Sequence, residues 1–253
     1  FDDLRVSVSS VRAATVTPKL AAVLAGRGSK SLTIAIESGS ERMRRVVNKK
    51  LSGEEIEAAA RHAKQGGLKA LKLYGMVGLP CEDNDDVEST AALLLSLKKG
   101  TPGLRFTLGV STFVPKAHTP FQWQGVRPEA EKRLKLLAKR LKPKGIDLRP
   151  ESYGWSVIQA LLSRSDRRLA PVIAAVRGSQ ESLGGWKKAY RAALAGELPE
   201  ARSAGVVLPL PPSWESVVHD EWASDTVLPW CHLDGPLSQE KLQEHRQEAL
   251  NLG

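Results

Sequence analysis

The run from Leu71 to Lys99 constrains the fold most, because a strand, a tight turn and a helix follow one another there. The segment KLYGMVGLP is apolar and rich in residues that favour strands, and it ends in Gly78, Leu79 and Pro80. An acidic stretch and a leucine-rich helix come next. This order predicts a buried strand that stops at a turn whose backbone can approach a ligand, because Gly78 has no side chain.

Strand and helix patterns of this kind recur through residues 1–150. Thr17 followed by Pro18 predicts a helix start, and Ser52 with Glu55 forms a capping box before another helix. The alternation favours a parallel sheet with right-handed crossovers. We therefore predict an α/β fold that forms part of a TIM-like barrel, with too few units to close eight strands. The predicted strands are 4–9, 32–36, 71–77 and 105–112.

The pattern changes after Pro150. Residues 151–197 show helical segments without intervening strands, which predicts a helical extension. Residues 198–253 begin with a Pro- and Gly-rich stretch, typical of a linker or an extended arm, and end in an apolar-aromatic anchor and a polar helix. The predicted domains are a partial barrel (1–150), a helical extension (151–197) and a Pro-rich linker with a C-terminal tail (198–253).

The composition is that of a soluble globular protein, with 42% hydrophobic and 26% charged residues. No apolar run approaches the length of a membrane span, and the opening FDDLRVSVSS does not resemble a signal peptide. The two cysteines, Cys81 and Cys231, lie far apart and predict no disulfide framework. We therefore expect a cytoplasmic protein. An organellar targeting peptide is the alternative, because Phe1 reads as an interior point of a longer chain.

A basic helix is predicted between Arg127 and Arg149, in a sequence whose net charge is +9. This pattern is typical of a solvated surface helix, the interpretation that we favour, and an RNA-binding or protein-binding surface is the alternative. No aromatic residues lie between the lysines and arginines of this helix, so no surface on which the bases of a single-stranded nucleic acid could stack is predicted. The basic face holds Lys132, Lys135, Lys139 and Lys142, and the apolar face holds Leu134, Leu137, Ala138 and Leu141.

Polar residues follow several of the predicted strands. In a parallel barrel the active site lies at the C-terminal ends of the strands, where hydroxyls and a carboxylate can bind ribose hydroxyls or an amino group. Singly, each residue has a structural alternative, because Ser38, Gly39 and Ser40 would also turn the chain and cap the next helix. Together they favour a site. The residues at these ends are Arg12, Glu37, Ser38, Gly78, Pro80, Phe113, Val114, Lys116 and His118.

His118 and Cys81 each allow two interpretations. His118, with Lys116 and Lys72 nearby, is a hypothetical general base, whereas a lone histidine in a loop is more often a surface or capping residue. Cys81 is either a reactive thiol or, as we favour, a small residue that fills a buried slot of threonine size. No catalytic triad order, phosphate loop or zinc-ligand spacing stands out in the sequence.

Three segments in order carry a specific resemblance: SLTIAIESGSERMRRVVNK, then LKLYGMVGLPCEDNDDV, then STFVPKAHTPFQW. They resemble the radical S-adenosylmethionine (radical SAM) superfamily, most closely the members with an N-terminal cobalamin-binding domain. The segments RSDRRLAPVI, ESLGGW and LPWCHLDGPLSQE resemble the C-terminal extension of one poorly characterised branch of that group. The resemblance therefore covers nearly the whole chain.

The resemblance implies the C-terminal portion of a partial (β/α)6 barrel in which three cysteines hold a [4Fe-4S] cluster. The cluster binds S-adenosylmethionine and reduces it, so that a 5′-deoxyadenosyl radical forms. It also implies an electron donor such as ferredoxin or flavodoxin, and cobalamin in a separate N-terminal domain. The substrate is unknown, because similar barrels modify RNA, peptides, lipids and small metabolites.

Seven cofactor-binding residues follow from the resemblance. Glu37 and Ser38 match the strand-end residues that contact the ribose and methionine parts of S-adenosylmethionine. Arg44 would help to hold the methionine carboxylate. Gly78 and Pro80 match the glycine-containing motif beside the adenine.

Phe113 and Val114 match the strand-end residues that flank the adenine through apolar and backbone contacts. Arg12, Lys116 and His118 would face the substrate, and they are the catalytic residues that the resemblance suggests. No metal ligand is assigned in this chain.

The sequence departs from the family pattern in two ways. It lacks the Cys-x-x-x-Cys-x-x-Cys motif that holds the cluster, and Cys81 stands where relatives usually have Thr or Gly. We therefore expect a fragment of a radical SAM enzyme that is inactive in isolation. The alternatives are an inactive remnant that binds RNA or a partner through the basic helix 127–149, and an ordinary barrel enzyme that uses His118 or a lysine.

Overall fold

The chain forms two compact units in a computed structural model that describes residues 6, 8–177, 181–198 and 213–253. The first unit comprises Phe1–Thr112, Glu129–Glu151 and Ala249–Gly253, and the second comprises Phe113–Pro128 and Ser152–Glu248. The predicted domain limits at residues 150 and 197 stay a prediction. The Pro-rich linker predicted after residue 198 lies almost wholly outside the described residues.

A four-stranded parallel sheet lies at the centre of the first unit, with the strands in the order β1-β2-β3-β4. Each strand thus pairs with the next one along the chain, as in a (β/α) barrel. The α/β class, the partial TIM-like barrel and the helical extension are confirmed. The strands are β1 (Ser31–Glu37), β2 (Ala70–Val77), β3 (Arg105–Thr112) and β4 (Asp147–Pro150).

Two strand predictions differ from the structure. The strand predicted at 4–9 falls mostly outside the described residues, although one parallel bridge joins Val11 to Ile34 of β1. The sequence patterns do not predict β4, because its sequence DLRP is short and polar and only Leu148 is buried. Its position beside β3 comes from pairing between strands, which a local hydrophobic pattern does not record.

Among the described residues of the first unit, α-helices precede β1 and follow β1, β2 and β3 along the chain. The predicted helix starts are confirmed, because Thr17 Oγ1 accepts the N–H of Leu20 at 3.1 Å and Ser52 and Glu55 form the reciprocal capping box. These helices are α1 (Pro18–Gly26), α2 (Glu41–Val46), α3 (Gly53–Gln65), α4 (Asn84–Gly100) and α5 (Glu129–Leu141).

The two faces of the sheet differ, as β2 shows. Leu71 and Leu73 point into the core and are fully buried. Between and beyond them, Lys72 and Met76 are half-buried and Tyr74 is 53% exposed. The Tyr74 ring lies over Gly109 of β3, where an added Cβ would be 2.5 Å from Tyr74 Cε1. One face therefore packs on helices, while the other keeps polar and aromatic side chains accessible.

The second unit is helical. Its core gathers apolar and aromatic side chains, with Tyr190 and Trp214 packed edge to face at 5.8 Å between ring centroids. A second cluster consists of Trp123, Leu228, Trp230 and Leu242. The helices are α6 (Tyr153–Ser163), α7 (Ala170–Val176), α8 (Leu183–Leu194), α9 (Trp214–Val218) and α10 (Gln239–Asn251), whose last residues belong to the first unit.

Among the described residues, no helix combines the length and the apolar character that crossing a bilayer requires.

Candidate functional site

Glu37 ends β1 and presents a carboxylate at the C-terminal edge of the sheet. Its backbone is left-handed, with φ of 61°, a conformation that costs a non-glycine residue about 1–3 kcal/mol and that clusters at functional sites. Glu37 Oε1 lies 3.0 Å from Lys49 Nζ, and the Glu37 side chain stays 26% exposed. Its register partner on β2 is Gly75, where an added Cβ would lie 3.2 Å from the Glu37 carbonyl oxygen.

The loop after β1 is pressed against α4. Ser38 is buried, and its Oγ accepts the N–H of Ser40 at 3.1 Å. The Gly39 N–H donates to Thr90 Oγ1 at 2.9 Å, and an added Cβ at Gly39 would lie 2.3 Å from Thr90 Cα. The Ser38 hydroxyl thus stabilises the turn. Its contact with a ligand stays a prediction.

The Arg44 side chain of α2 binds the backbone of the same loop. It is 2% exposed, and it donates from NH1 to the carbonyls of Ser38 at 2.9 Å and Gly39 at 3.0 Å. Its Nε donates to the Leu51 carbonyl at 2.8 Å. Desolvation lowers the pKa of Arg44 below its ordinary value. In this arrangement Arg44 positions the loop backbone, and direct contact with a methionine carboxylate stays a prediction.

Asp86, in the first turn of α4, ties this loop to the next one. It accepts from Ser40 Oγ at 2.6 Å and is ion-paired with Arg42. Asp83 caps α4, and its backbone N–H donates to Asp86 Oδ2 at 3.0 Å. Burial raises the pKa of Asp86, but the hydrogen bonds from Ser40, Asp83 and Arg42 outweigh burial and lower it overall. Asp86 is therefore a carboxylate that joins the loops after β1 and β2.

Gly78 begins the turn after β2, with φ of +80°. Its N–H donates to Glu82 Oε2 at 2.6 Å, and Glu82 is in turn bound by Arg133 of α5, NH1 to Oε2 at 2.9 Å. An added Cβ at Gly78 would lie 2.8 Å from Ala130 Cβ. The glycine is thus required by its backbone angle and by helix packing, and its contact with adenine stays a prediction. Pro80 is buried in the same turn.

The Glu82–Arg133 pair lies inside the protein, with side-chain exposures of 2% and 7%. Burial raises the pKa of Glu82 to about 7, although the Gly78 N–H and the Arg133 guanidinium both favour the charged form. Arg133 NH2 also donates to the Glu82 carbonyl at 2.6 Å. The sequence gives no sign of this pair, because Glu82 lies in an acidic stretch and Arg133 in a basic helix, both typical of solvent-exposed surface.

The comparisons with known proteins concern this strand-end region. The model of the Radical SAM superfamily matches residues 2–94, which include β1, β2 and the loops that follow them. Over residues 2–94 the chain is similar to the radical SAM superfamily. The uncharacterized protein MJ0966 of Methanocaldococcus jannaschii is 34% identical over 172 residues, which make up 67% of this chain and 38% of that protein. The chain thus spans less than half the length of this relative.

Radical SAM proteins use S-adenosylmethionine and a [4Fe-4S] cluster, and the residues of this chain fit the two groups differently. Glu37 offers a partly exposed carboxylate, which suits ribose hydroxyls or the amino group of S-adenosylmethionine. The described residues do not provide ligands for the [4Fe-4S] cluster. Among the described residues no group of three His, Cys, Asp or Glu side chains would hold a metal, and the whole sequence has only two cysteines.

Both cysteines are free thiols in the structure, Cys81 half-buried and Cys231 exposed. Cys81 has a left-handed backbone, with φ of 64°. This conformation favours glycine, so the backbone of Cys81 is strained. Cys81 Sγ lies near Gly253, where an added Cβ would be 2.5 Å from the sulfur.

Four of the predicted site residues belong to the second unit. Phe113 packs edge to face on Phe121, with 6.0 Å between ring centroids, and Val114 is part of the apolar core. Lys116 is exposed, and partial desolvation lowers its pKa. His118 has φ of 56°, and its backbone N–H donates to Gln122 Oε1 at 3.0 Å. Their roles beside adenine or substrate stay predictions.

Arg12 is an exposed residue of the first unit. It precedes a short 3-10 helix, Ala13–Thr15, and its carbonyl accepts from Thr15 Oγ1 at 2.8 Å. The structure brings Glu37 at the end of β1, Ser38 in the loop that follows and Arg44 of α2 close together, and it places Gly78 and Pro80 after the neighbouring strand. The role of Arg12 towards a substrate stays a prediction.

The basic helix is α5, and its apolar side is buried as predicted, at Leu134, Leu137 and Leu141. Some lysine and arginine side chains of α5 are less accessible to a binding partner than the sequence suggests. Arg133 is buried, and two bases form salt bridges: Lys135 Nζ to Glu131 Oε1 at 2.8 Å and Arg140 NH2 to Glu88 Oε1 at 2.7 Å. Binding of RNA or of a protein partner by 127–149 stays a prediction.

Proposed function

We propose that this chain is the part of a radical SAM enzyme that binds S-adenosylmethionine at the C-terminal edge of its sheet. The observation that carries the proposal is the strained Glu37, whose left-handed backbone and partly exposed carboxylate lie within the matched radical SAM segment. Backbone strain at a strand end is retained where the position is used. The Gly78 turn follows the neighbouring strand, so both features lie at one edge of the sheet.

The chain's own residues would divide the work of binding. The Glu37 carboxylate would accept hydrogen bonds from the ribose or the amino group. Arg44 and Asp86 would hold the loop that carries Ser38, and Glu82 with Arg133 would fix the backbone of the Gly78 turn. Because every one of these supports is buried, the loops are set before the ligand arrives, which limits the entropy lost on binding.

We propose further that the cluster ligands of the whole enzyme are cysteines outside these residues. S-adenosylmethionine supplies a 5′-deoxyadenosyl radical when it is cleaved in this family. The chain corresponds to 38% of MJ0966, so substrate, electron donor and the use of cobalamin are proposals about a longer protein. Ferredoxin or flavodoxin would serve as the donor, and the substrate is not assigned.

The test is calorimetric titration of the 253-residue chain with S-adenosylmethionine. Replacing Glu37 by Gln removes the charge and should weaken binding about tenfold or more, since a hydrogen bond to a charged group contributes about 1.5–3 kcal/mol. The matched control is Glu57→Gln on α3, which removes a comparable surface ion pair with Arg61 and should leave affinity unchanged. Equal affinities for wild type and Glu37→Gln, with both folded by circular dichroism, would contradict the placement.

A further inference from the structure

The second unit contains a cavity of about 250 Å3 that none of the predicted site residues lines. Apolar walls come from Leu169, Val227 and Pro229, together with the ring of Trp222. A cavity of roughly 150 Å3 already holds benzene in a protein interior, so this one has room for a ring and one polar group. Its walls are mostly apolar, which suits a small organic molecule more than a highly charged one.

Arg164 lines this cavity as a buried cation without a carboxylate partner. It is 1% exposed, and no acidic group among the described residues lies within salt-bridge distance of it. Its guanidinium donates to the Val217 carbonyl at 2.6 Å and the Asp220 carbonyl at 3.0 Å, and it lies 3.8 Å from the centroid of the Trp222 ring. Carbonyl dipoles hold the group in place but do not cancel its charge, and a buried charge without a counter-ion is costly.

Two further polar atoms beside the cavity have no partner within the part of the chain that is described. They are Arg164 Nε and the hydroxyl of Ser165, both buried. Buried donors of this kind are normally satisfied, by protein, water or ligand. The neighbouring Asp166 does not neutralise Arg164, because its carboxylate is 2.8 Å from Arg168 Nε and is paired there. Asp220 interacts with Arg164 only electrostatically, from beyond salt-bridge distance, so no carboxylate among the described residues contacts the guanidinium.

We propose that this cavity binds a small monocarboxylate, with the acid group towards Arg164 and Ser165 and an apolar body against Leu169, Val227 and Pro229. A carboxylate would contact the buried guanidinium, which no acidic side chain among the described residues contacts. A phosphate monoester would bring up to two negative charges, and the second cation on the cavity wall, Arg168, is already paired with Asp166. Size and wall chemistry fit an aryl or branched aliphatic acid about as large as benzoate.

The experiment is titration of the full 253-residue chain with benzoate and, separately, with benzamide, which has the same shape and no charge. Benzoate should bind with Kd below about 1 mM, and benzamide should bind at least about tenfold more weakly, because only the acid compensates Arg164. The absence of benzoate binding in this range, or equal binding of the amide, would overturn the proposal.

Two variants test whether benzoate binds in this cavity. Val227 is 81% exposed and lines it, so Val227→Trp should fill the entrance without disturbing the core, and benzoate affinity should fall at least about tenfold. Ile173→Trp on α7 is the control, since Ile173 is 46% exposed and does not line the cavity; its affinity should equal that of the wild type. Unchanged binding in Val227→Trp would also refute the assignment. Neither residue contributes to the proposed S-adenosylmethionine site, so the two proposals fail separately.

Discussion

The two units of the chain accommodate buried charge in different ways. In the first unit, Arg133 lies against the carboxylate of Glu82, and the pair fixes a turn of the sheet edge. In the second unit, Arg164 is equally buried, and among the described residues backbone carbonyls and an aromatic ring contact its guanidinium. Arg133 has its counter-ion within the protein, whereas Arg164 contacts no carboxylate among the described residues and keeps a capacity to bind one. The difference separates the residues that build the sheet edge from a residue that can meet a ligand.

The largest expected effect is on stability, from Arg133→Met. This change leaves Glu82 buried without its counter-ion, so the free energy of unfolding should fall by about 3–5 kcal/mol. Arg164→Met, which removes an unpaired cation and leaves carbonyls, should cost less, about 2 kcal/mol. Urea denaturation of both variants measures the contrast. Equal losses would show that the carbonyl-bound arginine stabilises the fold as much as the paired one does.

The next effect is a pH dependence that arises from Glu82 in the first unit. Because burial raises the pKa of Glu82 to about 7, the folded state holds its proton more tightly than the unfolded chain, where the pKa is near 4.5. Stability should therefore fall as pH rises between those values, by at most about 1.4 kcal/mol per pH unit. Glu82→Gln should flatten the dependence in this window, as followed by denaturation at several pH values. A profile identical in wild type and variant would mean that Glu82 stays charged throughout.

The smallest expected effect concerns the strained turn. Cys81→Gly relieves the left-handed backbone of residue 81 and should raise the free energy of unfolding by about 0.5–1 kcal/mol. Cys81→Ala is the matched control, since it removes the same sulfur but keeps a Cβ and therefore the strain. If both variants change stability alike, the thiol rather than the backbone angle determines the effect.

Local features of the fold can be predicted from the sequence, since caps and strand patterns depend on neighbouring residues. The start at Thr17, the Ser52 capping box and the strands around residues 34, 73 and 108 are all of this kind. Strand β4 cannot be predicted in this way, because its short polar sequence gains strand structure only from its partner. Propensity alone does not contain such pairing.

The candidate site can be predicted only in part. The sequence places Glu37 at a strand end, where it lies, but its left-handed angle is visible only in three dimensions. The sequence explains Gly78 through a ligand, whereas the structure shows Ala130 in the place of its missing side chain. Arg133 belongs to the predicted basic helix, yet it is buried against Glu82. The environment of Gly78 depends on Ala130 and that of Arg133 on Glu82. Both partners are distant in sequence, and no local pattern identifies them.

The link between Glu82 and Arg133 spans 51 positions of the chain, and this separation sets an order for folding. The turn after β2 is complete only when α5 has packed, because the carboxylate that holds Gly78 is itself held by Arg133. Closing so long a loop costs entropy before its contacts form. On a ribosome, the sheet edge would therefore stay unfinished until α5 had emerged.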